Sequence, residues 1–116
     1  METQCYAVGR IGKDDFGRTL LTNLKKHEGF VNTDGIKEVD DVGTGFALIV
    51  TSKESRQKTN TICKGANETI QKEDYQRVQK VMDDNPNIRI MLLTLDAGDR
   101  ENSAMSEVAR MGQRAG

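Results

Sequence analysis

No stretch of this 116-residue chain comes near the roughly 18 consecutive apolar residues that suggest a membrane-spanning helix. The opening METQCYAVGR has neither the basic start nor the long apolar centre of a secretory signal. A soluble, cytoplasmic chain with no membrane partner is the expectation. An excess of one charge is lacking too. The 17 basic and 18 acidic residues are interspersed and leave a net charge of −1, so there is no basic stripe to neutralise a phosphate backbone and no polyanionic tail. This argues against nucleic acid as a partner. Soft metal ligands are scarce: Cys5 and Cys63 stand apart without CxxC spacing, and His27 is the one histidine. Two reduced thiols and no metal are expected. The apolar fraction of 35% is below the roughly 45–50% usual for globular chains. A domain this short also buries only about two-thirds of its unfolded surface. A thin core follows, sensitive to any missing strand or partner.

Against these absences the chain carries clear element signals. TQCYAVGRI, residues 3–11, mixes short apolar runs with β-formers and ends at Gly12, which predicts a strand. Asp14 or Asp15 can then cap a helix whose Phe16, Leu20, Leu21 and Leu24 share one face. Lys25, Lys26 and His27 suit its negative end, and Gly29 can close it in the left-handed region. Ile36 and Val39 sit in a short strand, TGFALIVT is the most strand-like run, and SKESRQK reads as a hairpin connection to TNTIC. Tyr75, Val78, Val81 and Met82 make the apolar face of a helix stopped by Asn-Pro-Asn at 85–87. IRIMLLTL then predicts a buried strand of the parallel type, and residues 99–111 a last helix with Ala104, Met105, Val108, Ala109 and Met111 on one face. The order is strand, helix, antiparallel insert, helix, strand, helix. It predicts an α/β fold with a mostly parallel sheet.

The run GKDDFG invites a catalytic reading of its paired carboxylates. Adjacent residues diverge at a helix start, however, whereas an acid and base must converge on one bond. Asp14 is therefore expected to orient backbone groups. The one run that looks like part of a phosphate-binding loop, GKDD, lacks the preceding glycine spacing and the following Ser or Thr.

Four runs, VGRIGKDDFGRTLLTNLKKHEG, TGFALIV, KGANETIQKED and IRIMLLTLDA, resemble the middle of ribokinase-type members of the PfkB carbohydrate-kinase family. They come in the same order and at nearly the same spacing, over almost the whole chain. The resemblance implies a partial ribokinase-like fold over residues 1–116: a mostly parallel sheet flanked by helices, with a small antiparallel β lid at about 36–63. It also implies three sugar-proximal positions. Ala47, in Thr-Gly-Phe-Ala, matches an apolar contact on the lid strand, with plain strand packing as the competing role. Asn60 falls near a position where an aliphatic residue packs on the sugar. Asp96, at the carboxyl end of IMLLTL, matches a sugar-contacting glutamate one methylene longer, with a helix N-cap as its alternative. Gly65-Ala66-Asn67 reads as a turn where the lid re-enters the main domain, and is distinct from the family's upstream glycine-rich sugar motif, which this chain does not contain.

Full-length members of the family use ATP and Mg, and place the catalytic base and an anion-binding turn in a C-terminal Gly-Ala-Gly-Asp segment at a helix N-terminus. That segment is not in this sequence, so neither ligand is expected to bind tightly here. Two functions remain open. One is ATP-dependent phosphoryl transfer to a pentose by a sugar kinase of which this chain is a truncated form, inactive alone. The other is a non-catalytic sugar-binding or interaction module that forms a homo-oligomer through lid strands or sheet edges.

Overall fold

Two parallel strands cannot be joined by a tight turn, so the chain needs a crossover of a dozen or more residues between them. In the computed structural model, which describes residues 3–27, 29–92 and 104–115, α1 (Asp15–Lys25) supplies it. It links β1 (Cys5–Gly12) to β2 (Val31–Val39), which pair in parallel from Cys5↔Val31 to Gly12↔Val39 with an irregularity between Tyr6 and Val8. The strand and helix expected over residues 3–27 are present, and Asp14 is the N-cap.

Two expectations for this region change. Gly29 does not end the helix in the left-handed region, where Gly65 is the glycine observed. Lys26 caps α1 in right-handed geometry, and the His27 carbonyl accepts from Phe30 N and Val31 N, both at 2.8 Å. That turn feeds β2 directly, so no left-handed residue is required. Ile36 and Val39 are in a strand as predicted, but their partners are Gly9 and Gly12 of β1. They belong to the parallel pair, and the antiparallel strands begin only at Phe46. Asn, Asp and Gly at 32–35 hide the start of β2 from any propensity reading, since the ladder with β1 is what holds it.

The antiparallel pair is β3 (Phe46–Thr51) and β4 (Lys58–Cys63), in register from Phe46↔Cys63 to Thr51↔Lys58. Residues 52–57 turn the chain: Ser52 N donates to Gln57 O at 2.9 Å, and Arg56 adopts φ 57°. A 3-10 turn, Gly65–Thr69, follows and lies against β1. Ile11 and Ala66 are the buried apolar residues among those described, so the core is as thin as composition suggested. These elements form one compact unit, Met1–Thr69; Ile70–Gly116 forms a second.

In the second unit α2 (Lys72–Asp84) starts with a reciprocal cap, in which Asp74 Oδ2 accepts from Gln71 N at 2.8 Å. Buried Asp74 also pairs with Arg77 one turn on. The helix ends before Pro86, where the Asn85 side chain donates to Val81 O at 2.8 Å. It packs on α3 (Ala104–Ala115), so the last helix is present, its predicted first residues 99–103 lying outside the described ones. The buried strand predicted at 88–95 is not formed over 88–92. Ile90 and Leu92 are 86% and 93% exposed. An apolar run becomes a strand only when a ladder satisfies its backbone, and no described residue of the second unit is in a strand. Residues 93–95 lie outside the described ones.

Candidate functional site

The corner between β1 and α1 explains the GKDDFG run. Asp14 caps α1 by accepting from Gly17 N at 2.8 Å through Oδ1. The same oxygen accepts from the Thr44 hydroxyl at 2.6 Å, and Oδ2 accepts from Thr44 N at 2.7 Å. Thr44 Oγ1 in turn accepts from Gly12 N at 2.9 Å. One hydroxyl oxygen with one proton thus closes a circuit between the end of β1, the start of α1 and the loop entering β3. Its three donors hold the Asp14 carboxyl below its ordinary value, the Thr44 hydroxyl contributing most, then the N–H groups of Thr44 and Gly17. An ionised, acceptor-only carboxylate is what this geometry needs, so Asp14 organises backbone and does not shuttle protons.

The other leg of the hairpin is tied to the first. Ala66 N donates to Gly43 O at 2.8 Å. Gly65, at φ +50°, brings its Cα so close that a Cβ there would sit 2.4 Å from the same oxygen. Thr44 is buried, yet sequence reasoning did not single it out. The available signal was its place in Thr-Gly-Phe-Ala, downstream of an Asp flanked by Gly12 and Gly17, whose small size lets three segments meet.

Beyond this base every residue of β3 and β4 is exposed. Cross-strand partners share a face, so Phe46, Leu48 and Val50 lie with Cys63, Thr61 and Thr59, and Ala47, Ile49 and Thr51 lie with Ile62, Asn60 and Lys58. Two of the three predicted positions, Ala47 and Asn60, therefore fall on one face as diagonal neighbours. The opposite face meets α1 at its root, where Phe46 stacks on Phe16 with ring centroids 5.8 Å apart. Asp96 lies outside the described residues.

Neither α1 nor α2 offers a phosphate its N-terminus. At α1 Asp14 occupies the position an anion would take and Asp15 adds negative charge; at α2 the first turn carries Glu73 and Asp74. Among the described residues no three of His, Cys, Asp and Glu gather to hold a metal ion.

A parallel βαβ corner carrying an antiparallel pair is an α/β fragment of the ribokinase-like fold, and solved structures share it. The chain is similar to ribokinase from Giardia lamblia, at 31% identity and TM-score 0.54 over 66% of this chain and 22% of that one. It is also similar to Arabidopsis thaliana ribokinase complexed with ribose and ATP, at 26% identity and TM-score 0.55 over 66% and 26% of the two chains. In sequence it is 33% identical over 69 residues to ribokinase of Schizosaccharomyces pombe, 60% of this chain and 21% of that protein. The family described as pfkB family carbohydrate kinase matches residues 2–115, and the chain belongs to it. It spans about a fifth to a quarter of the length of these relatives.

Proposed function

We propose that the chain is the lid-bearing part of a ribokinase-type sugar kinase, which transfers a phosphoryl group from ATP, with Mg, to a pentose or related sugar. The observation that supports this most is the shared face of Ala47 and Asn60 on a hairpin anchored at the Asp14 corner. In this reading residues 1–116 are one partial ribokinase-like domain and the hairpin is its lid. The Ala47 methyl rests on the sugar ring, the Asn60 amide meets a hydroxyl, and the Asp96 carboxylate accepts hydrogen bonds from hydroxyls. These residues bind and orient. The base that takes the hydroxyl proton, and the groups that hold ATP and Mg, come from chain beyond these residues.

Two measurements test the reading. A coupled assay with ribose and ATP should show no turnover by this chain alone, and turnover once a separately expressed C-terminal segment of a ribokinase is added. Ribose titrated by NMR should shift Ala47 and Asn60 amides in the parent and not in Asp96→Ala. A loss of urea resistance in Asp96→Ala, with no ribose-dependent shift in the parent, would make Asp96 a cap and remove the sugar reading.

A second reading, a self-associating module, is favoured by the exposure of Leu48, Ile49, Val50 and Ile62, between 57% and 63% each. Apolar strands with unpaired edges add to one another. Sedimentation should then show a dimer at tens of micromolar that Ile49→Lys returns to monomer, and a monomeric parent would dispose of it.

A further inference from the structure

The hairpin formed by β3 and β4 has no buried side chain along either strand, so its direction must be fixed at its root. Two struts stand there. One is the Phe16–Phe46 stack. The other is the Asp14 carboxylate, which takes both the N–H and the hydroxyl of Thr44 while capping α1 through Gly17 N. Thr44 also receives the last N–H of β1, from Gly12. The returning leg is fastened to the outgoing one through Ala66 N and Gly43 O. Whatever moves Thr44 therefore moves both legs.

We infer that Asp14 and Thr44 form a clamp that sets the angle of the hairpin against β1 and α1, making them positioning residues for the face that carries Ala47 and Asn60. The function of that face rests on the sugar-kinase reading; the clamp does not.

The chemistry of the carboxylate supplies a discriminating variant. Asparagine is as good a helix N-cap as aspartate, so Asp14→Asn can keep an oxygen for Gly17 N. Its amide nitrogen then faces Thr44 N, and two donors oppose each other where a carboxylate accepted. The cap survives, and the clamp loses its bond from Thr44 N and gains a donor–donor clash in its place. Thr44→Val removes the hydroxyl at nearly constant shape and leaves the Asp14–Gly17 cap whole. Thr44→Ser restores the hydroxyl and should restore the clamp.

The test is made on the 15N-labelled 116-residue chain without sugar, by residual dipolar couplings and heteronuclear NOEs. In the parent, hairpin amides 46–63 should fit the same alignment tensor as β1, β2 and α1. In Asp14→Asn and Thr44→Val the hairpin couplings should fall to half or less, while α1 shifts stay within those of the parent. Thr44→Ser should return them to parental values. If Asp14→Asn does not fold, Thr44→Val carries the same comparison, since its cap is intact. Hairpin couplings unchanged in the folded variants, or reduced equally with those of β1 and β2, would overturn the clamp. The second pattern is what general destabilisation produces. A ribose titration of the parent, run separately, reports on the sugar-facing role, so the two ideas fail independently.

Discussion

Gly17 lies in the first turn of α1, where replacing glycine by alanine ordinarily gains up to about 1 kcal/mol through helix propensity. Here the sign should reverse. A Cβ at Gly17 would sit 2.3 Å from Gly12 O, 2.7 Å from Thr44 Oγ1 and 3.2 Å from Asp14 Oδ1. The first of these is a backbone oxygen at the end of a strand, and it cannot rotate away. Overpacking of this kind costs about 1–3 kcal/mol. Contact with two members of one hydrogen-bonded circuit puts Gly17→Ala near the top of that range, for a net loss of about 2 kcal/mol once propensity is subtracted. With a urea dependence of about 1–3 kcal/mol per molar, the unfolding midpoint should fall by roughly 1 M. Gly29→Ala is the control, because nothing lies within 4 Å of the Cβ it would add. Urea melts followed by far-UV circular dichroism measure both. A Gly17→Ala midpoint equal to or above that of the parent would refute the close junction between β1, α1 and the Thr44 loop.

Three further outcomes are expected. Gly65→Ala should lose about 1–2 kcal/mol to its left-handed backbone alone, and more through a Cβ 2.4 Å from Gly43 O, read as a lower melting temperature. Arg56 holds φ 57° in the hairpin turn, so Arg56→Gly should gain up to about 1 kcal/mol, seen as slower amide exchange at Ser52 and Gln57. Asp14 is held below its ordinary value of 3.8, chiefly by the Thr44 hydroxyl. A carboxyl lowered by folding contributes stability above its unfolded value and loses it as pH falls through the folded one. The parent should therefore weaken below about pH 3.8 more steeply than Asp14→Asn, and parallel acid titrations of the two would contradict the assignment.

Much of this fold follows from local rules. The apolar spacing of Phe16, Leu20, Leu21 and Leu24 and the aspartate before it predict α1 and its cap, because both are settled within one turn of chain. TGFALIVT and TNTIC predict the hairpin for the same reason, since its partner strands are separated by only a short connection. Tyr75, Val78, Val81 and Met82, closed by Asn85 and Pro86, predict α2. The family was legible as well, from four short runs, and the match over residues 2–115 bears it out.

Other features depended on partners distant in sequence. VNTDGIKEV is poor in strand formers and becomes β2 because β1 offers it a parallel ladder, whereas IRIML, apolar as it is, is not a strand over 88–92. The amino-acid sequence alone thus determined the helices, the aspartate cap of α1, the hairpin and the family, all of which rest on contacts within a few residues or on motif order. Tertiary structure alone decided which strands are parallel, which face Ala47 and Asn60 share, and that Asp14 reaches Thr44 thirty positions away. Its second oxygen and the Thr44 N–H find each other only when the β1 corner and the hairpin root are folded against one another, and no local pattern encodes that distance.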